Sequence, residues 1–133
     1  MGMQENLGPL LIGLALAAGV VVLEAAVLAL LRWAPFSRSL RHALVLNGVS
    51  ILPGLAVAAT VSDAAQKMLH LQPTAESLAA FAFAWIVTVA VEAPLLRLLG
   101  REPWMKCWRI AAGINAASSL ALILGARLFG DLS

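Results

Sequence analysis

Two glutamates lie inside long apolar stretches of this 133-residue chain. Glu24 interrupts the stretch 10–31, and Glu92 interrupts the stretch 78–99. A charged side chain at the centre of a membrane helix costs about 2.5–3.5 kcal/mol on insertion scales, so acidic groups there are rare and usually functional. We expect at least one of the two to be protonated at neutral pH unless a cation binds between them. The pair therefore predicts a site that carries protons or cations.

Amide and hydroxyl side chains recur in the other two apolar stretches. Asn47 and Ser50 lie three residues apart in one, and Asn115 and Ser118 have the same spacing in the other. Residues three apart share a helix face. Antiparallel neighbours within each predicted hairpin bring Asn47 and Ser50 to the level of Glu24, and Asn115 and Ser118 to the level of Glu92. The predicted transport or ion-binding residues are Glu24, Asn47, Ser50, Thr88, Glu92, Asn115 and Ser118.

The donor set also bears on metals and on catalysis. Carboxylate, amide and hydroxyl oxygens suit Na⁺, Mg²⁺, Ca²⁺ or Mn²⁺ rather than copper or zinc, so Glu24 and Glu92 are candidate ligands of a hard cation. No other cofactor is predicted. The serines have no histidine partner to act as a base, and Cys107 is the only cysteine. We therefore do not expect an enzyme.

The elements that carry these residues are predicted to cross a membrane. Apolar residues make up 62% of the chain and charged residues 12%, with a mean hydropathy of +0.93, whereas soluble domains are about half apolar and one-quarter charged. About 20 apolar residues suffice for a helical span. The predicted fold is all-α, a single domain (1–133) forming a polytopic four-helix transmembrane bundle. Its spans are about 10–31, 43–61, 78–99 and 110–128.

The two halves of the chain match at an offset of 68 residues without a gap. The matched polar and proline positions are Glu24 with Glu92, Pro35 with Pro103, Arg41 with Arg109, Asn47 with Asn115, and Ser50 with Ser118. This pattern predicts two tandem helical-hairpin repeats, about 8–61 and 76–129. Each unit holds two spans, so both copies enter the membrane in the same direction and form a parallel repeat.

Basic residues set the expected orientation. Seven of the nine lie in or beside the predicted loops 32–42 and 100–109, and the positive-inside rule puts those loops in the cytoplasm and both termini outside. We expect an integral protein of the bacterial cytoplasmic (cell inner) membrane. This distribution accounts for the pI of about 9.3, so no nucleic-acid partner is predicted. In the other connection, 62–77, a short interfacial helix is predicted over 64–71, and Thr74 or Ser77 is expected to cap the third span.

Two functions fit this sequence. The first is a small proton- or cation-linked transporter or channel, acting as a homo-oligomer because four helices enclose little space. The alternative is a non-catalytic accessory or assembly subunit of a larger membrane complex, in which the glutamate–asparagine pairs only hold helices together. Hydrogen bonds of that kind contribute about 0.6 kcal/mol each in membranes, and glutamine could supply them without an ionisable group.

Overall fold

The computed structural model describes residues 7–69 and 74–130, which form four helices and, within those ranges, no strand. The helices are α1 (Leu7–Leu30), α2 (Phe36–Leu69), α3 (Ala75–Gly100) and α4 (Trp104–Gly130). The predicted all-α class is confirmed. Both chain ends, and the last residues of the predicted interfacial helix 64–71, lie outside the described residues.

Three of these helices are long and apolar enough to cross a membrane. The qualifying segments are Gly13–Leu30, Ala75–Gly100 and Trp104–Gly125. Large apolar side chains are exposed on all four helices, among them Leu14, Leu52, Leu98 and Leu120. An apolar outer surface of this kind is consistent with a lipid environment. The remaining predicted span, 43–61, lies within α2 and stays a prediction.

Helix α2 is much longer than the span predicted for it. Helix α2 continues without a break past residue 62, where the connection was predicted to begin, and ends at Leu69, so the segment from residue 64 is part of α2 rather than a separate helix. Pro53 lies inside α2 without ending it. With 34 residues, α2 is about 50 Å long and exceeds the roughly 30 Å of a hydrocarbon core. The sequence around 56–67 is rich in alanine, which favours helix outside lipid as well.

The two basic connections are shorter than predicted. Non-helical residues occupy only 31–35 and 101–103, and α2 and α4 begin directly after Pro35 and Pro103. Hydropathy marks where a chain leaves lipid, whereas a helix ends where its backbone turns. Arg32 and Arg101 make those turns with left-handed backbones, φ 55° and 53°, at positions where glycine is more usual. Most of the basic residues of the predicted loops therefore lie on helices.

The start of α3 is capped as the sequence predicted. The Thr74 hydroxyl accepts a bond from the Ser77 backbone N–H at 3.1 Å, and the Ser77 hydroxyl accepts one from the Thr74 backbone N–H at 2.8 Å. This reciprocal arrangement is a capping box, which satisfies donors that a helix N-terminus leaves free.

The four helices form a closed ring, in which neighbours in the chain pack together and α4 packs against α1. Each helix contacts its two neighbours, and α2 also approaches α4 across the centre, whereas α1 and α3 make no such contact within the described residues. Small side chains, Ala43 on α2 and Ala111 on α4, are fully buried near that closer diagonal and let helices approach closely. The bundle thus has a short diagonal, α2–α4, and a long diagonal, α1–α3.

Candidate functional site

Glu24 on α1 bonds to both hairpins of the bundle. Its Oε2 accepts a short hydrogen bond from Nδ2 of Asn47 on α2. Its Oε1 accepts one from the Ser118 hydroxyl on α4, at 2.6 Å. The carboxyl group therefore joins its own hairpin, α1–α2, to the second hairpin, α3–α4.

Glu92 on α3 makes the corresponding set of bonds. Its Oε2 accepts from Nδ2 of Asn115 on α4, at 2.5 Å, and its Oε1 accepts from the Ser50 hydroxyl on α2, at 3.1 Å. Every partner number differs by 68 from its counterpart around Glu24. The six residues Glu24, Asn47, Ser50, Glu92, Asn115 and Ser118 form one cluster, which we call the polar network.

The shape of the bundle explains which residue types stand where. The long glutamate side chains project from α1 and α3, the helices of the long diagonal, and the shorter asparagines and serines project from α2 and α4. A glutamate can reach both helices of the short diagonal, and each one does. The sequence predicts Ser50 at the level of Glu24 and Ser118 at that of Glu92, within the hairpins. The serines instead bond to the glutamate of the opposite hairpin.

The carboxyl groups of the network are buried without a counter-charge. Glu24 and Glu92 are 2% and 1% exposed, and each bonds to both α2 and α4. Among the residues whose side chains the structure describes (11, 13–53 and 74–125), no lysine, arginine or histidine bonds to either of them. A buried charge is normally paired or neutralised, so protonation is the simplest way for this pair to exist inside a membrane.

Each asparagine is held in one orientation by its own helix. Nδ2 of Asn47 also donates to the Ala43 carbonyl, and Nδ2 of Asn115 donates to the Ala111 carbonyl, both at 2.9 Å. A backbone carbonyl can only accept, so the nitrogen rather than the oxygen of each amide must face it. The second hydrogen of each Nδ2 then points at a glutamate Oε2.

Thr88, the seventh predicted site residue, is not part of the polar network. Its hydroxyl donates to the Ala84 carbonyl one turn earlier in α3, at 3.0 Å. Bonding of this kind satisfies a hydroxyl within its own helix. Periodicity placed Thr88 on the same side as Glu92 but could not reveal this local partner.

A groove lies apart from the polar network. It has a volume of about 400 Å³ and is lined by apolar side chains of α3 and α4, including Phe81, Trp85, Leu120 and Ile123. Ser119 is its only hydroxyl-bearing residue, and no member of the polar network lines it. Within the part of the chain that the structure describes, every buried side-chain nitrogen and oxygen has a hydrogen-bond partner.

Trp33 forms a second junction between the hairpins, at the end of the bundle that carries the basic residues. Its Nε1 donates to Nδ1 of His42 at 2.9 Å, and its ring lies against the Cα of Gly100 at the end of α3. Burial lowers the pKa of His42, and the charges of Arg38 and Arg41 lower it further. The imidazole is therefore neutral and can accept this bond. Nothing in the spacing of Trp33 relates it to Gly100, so the sequence does not predict this junction.

Comparisons of this chain with protein-family models, with curated proteins and with solved structures each give no match. Its function is therefore inferred from the polar network and the bundle that holds it.

Proposed function

We propose that this protein is a small proton-linked transporter or channel of the membrane, with Glu24 and Glu92 as its proton-carrying groups. One observation carries the proposal: two ionisable side chains are buried in one bundle and bond to the same two helices, α2 and α4, with no basic partner among the described side chains. Intramembrane carboxyl groups of this kind serve as proton relays in pumps and transporters. A purely structural contact would need only an uncharged amide.

A proton suits this geometry better than Na⁺, Mg²⁺, Ca²⁺ or Mn²⁺. Both asparagines direct N–H groups at the carboxyl oxygens, and their oxygens cannot replace those groups without breaking the bonds to Ala43 and Ala111. Donor hydrogens carry partial positive charge and oppose a cation between the glutamates. A proton needs no shell of oxygen ligands. Ion binding by Glu24 and Glu92 is thus the less favoured form of the proposal.

The arrangement also supports an origin by duplication of one hairpin. Bonds around Glu24 and around Glu92 connect residues that match at the 68-residue offset, including the two bonds that cross between hairpins. We propose two parallel repeats related by a two-fold axis along the membrane normal. The network then lies on that axis, and each hairpin supplies one carboxyl group, one amide and one hydroxyl.

Orientation and assembly belong to the same proposal. Basic residues near the starts of α2 and α4 would face the cytoplasm of a bacterial inner membrane, with both termini outside. Four helices enclose little space at their centre, which leaves little room for a bulky substrate. We therefore propose that the active form is a homo-oligomer, in which copies of the bundle border the path.

The decisive experiment measures proton flux in liposomes that contain the purified protein and a trapped pH-sensitive dye. We expect flux from the unaltered protein under an imposed pH gradient, and background flux from the double variant Glu24→Gln, Glu92→Gln. Glu76→Gln is the matched control, because Glu76 is an exposed acid in the first turn of α3. Circular dichroism checks that all variants stay helical. The proposal is wrong if the double variant conducts like the unaltered protein or if the unaltered protein conducts no protons.

A second candidate function is an accessory or assembly subunit of a larger membrane complex. The observation in its favour is that both oxygens of each carboxyl group already accept a bond within the bundle. Such a network can hold four helices together without moving an ion. This role predicts co-purification with other membrane chains at fixed stoichiometry and no flux from the isolated protein.

A further inference from the structure

We infer that Ser50 and Ser118 sense the protonation state of the opposite hairpin, because each reverses its hydrogen bond when the glutamate it faces gains or loses a proton. The inference rests on the proposed proton exchange at Glu24 and Glu92 and adds the groups that respond to it. In the described structure these two serines make the contacts between each carboxyl group and the other hairpin.

The asparagine amide groups determine which oxygen of each carboxyl group carries the proton. Asn47 and Asn115 use one Nδ2 hydrogen on a backbone carbonyl and the other on a glutamate Oε2. Because Nδ2 can only donate, Oε2 is the acceptor in both protonation states. The proton of a neutral Glu24 or Glu92 therefore belongs on Oε1.

A serine hydroxyl faces Oε1 of each glutamate. At Glu24 this group is the Ser118 hydroxyl, 2.6 Å away, and a hydroxyl can both donate and accept. It donates to the charged carboxylate and accepts from the neutral carboxyl. Its own hydrogen then needs another acceptor, which the Ile114 carbonyl supplies at 2.9 Å. Both states of Glu24 are fully bonded without movement of the backbone.

The corresponding contact at Glu92 is longer and less buried. Ser50 is 3.1 Å from Oε1, and no second acceptor for its hydroxyl is among the described contacts. Ser50 is half-buried, whereas Ser118 is 6% exposed. Ser118 is thus the more firmly built of the two sensing contacts.

The reversal changes the strength of the contact between hairpins. A hydroxyl bonded to a charged carboxylate makes a bond roughly twice as strong as one between neutral groups. Loss of the proton therefore tightens the hairpin junction, and uptake loosens it. In this step the carboxylate gains a proton and an O–H bond at Oε1, while the serine keeps its own hydrogen and only rotates it. No covalent bond to the serine forms or breaks.

Infrared spectroscopy of the purified protein in detergent tests the inference through the C=O stretch of the protonated carboxyl groups. The single variants Glu24→Gln and Glu92→Gln assign the two bands. We expect Ser118→Ala to move the Glu24 band to higher frequency, because the carboxyl O–H has lost its acceptor, and Ser118→Thr to restore it. Ser50→Ala should act in the same way on the Glu92 band.

Ser119→Ala is the matched control, since Ser119 is the next residue on α4 and lines the groove instead of the polar network. The inference is overturned if Ser118→Ala leaves the Glu24 band in place, if Ser119→Ala moves it equally, or if no protonated carboxyl band appears at any pH at which the protein is folded. Serine-dependent bands without proton flux would support the inference and reject the proposed transport. Proton flux together with bands that do not move in either serine variant would support the proposed transport and overturn the inference.

Discussion

The two hairpins of this bundle use corresponding residues in corresponding ways. In each, an asparagine donates to a glutamate and to the carbonyl four residues before it in its own helix. In each, the second helix begins with two backbone N–H groups that donate to a proline carbonyl. The fully buried positions also correspond: Ala25 with Ala93, Leu28 with Leu96, Ala43 with Ala111, Leu46 with Ile114, and Ser39 with Cys107. These agreements identify the residues on which the bundle depends.

The two hairpins differ in how deeply their asparagine and serine side chains are buried. Asn115 and Ser118 on α4 are buried, at 8% and 6% exposed, whereas Asn47 and Ser50 on α2 are half-buried. The α2 side is therefore the accessible side of the polar network. A second copy of the bundle, in the oligomer proposed above, would meet the network there.

A further difference lies at the edge that carries the basic residues. Trp33 follows α1 and packs against Gly100, and the position 68 residues after Trp33 is occupied by Arg101. Trp33, which is 9% exposed, therefore has no tryptophan counterpart in the second hairpin. The buried contacts therefore follow the 68-residue correspondence, whereas Trp33 packs at the edge without a counterpart in the second hairpin.

The largest predicted effect breaks that unmatched contact. A Cβ on Gly100 would lie 2.4 Å from Cζ2 of Trp33, and the ring cannot move without losing its bond to His42. We expect Gly100→Ala to destabilise the protein by about 1–3 kcal/mol, the usual cost of overpacking. Thermal and denaturant unfolding in detergent would measure the loss.

Gly113→Ala is the control for this substitution, because its Cβ would meet only Leu31 Cδ1, at an ordinary 3.8 Å. That variant should be neutral or slightly stabilising, since alanine favours helix over glycine by about 0.5–1 kcal/mol. Adding Trp33→Ala should remove most of the further cost of Gly100→Ala. Equal stability of the two glycine variants would refute the close contact.

Sequence reasoning predicted the class of the fold and six members of the polar network, but not their pairing. Spacing shows that Asn47 and Ser50 share a face. It cannot show that Asn47 bonds within its hairpin while Ser50 bonds to Glu92, because that depends on which helices form the short diagonal. Hydropathy also could not predict where the helices end, since α2 continues to Leu69 after its apolar stretch ends. The missing information concerned the packing of helices against one another.

Asn115 and Asn47 should contribute differently to stability, because Asn115 is buried and Asn47 is half-buried. Alanine in place of Asn115 leaves Glu92 without its amide donor at a buried position, whereas the site of Asn47 is half-buried and another donor can approach it. Interhelical hydrogen bonds in membranes average about 0.6 kcal/mol and reach about 1.7 kcal/mol. We expect Asn115→Ala to lie near the upper figure and Asn47→Ala near the lower.

Unfolding of both variants at the same detergent concentration would compare them, and each serves as the control of the other. A loss for Asn47→Ala equal to or greater than that for Asn115→Ala would contradict the reading that α2 is the accessible side. The matching of the hairpins would survive that result, because it depends on which atoms bond rather than on their exposure.

The smallest predicted effect concerns Ser39 and Cys107, the one buried polar pair whose chemistry differs between hairpins. The Ser39 hydroxyl donates to the Ala34 carbonyl at 3.0 Å, and the Cys107 thiol donates to the Glu102 carbonyl at 3.6 Å. Both side chains are fully buried, and both carbonyls lie five residues before their donors. A serine at position 107 would therefore find an acceptor already in place. We expect Cys107→Ser to change the free energy of unfolding by less than about 0.5 kcal/mol, whereas Ser39→Ala should cost about 1 kcal/mol because it leaves a buried cavity and removes a bond. A loss above about 1 kcal/mol for Cys107→Ser would mean that the larger sulfur fills space that the first hairpin does not have, and the two turns would then be alike in backbone only.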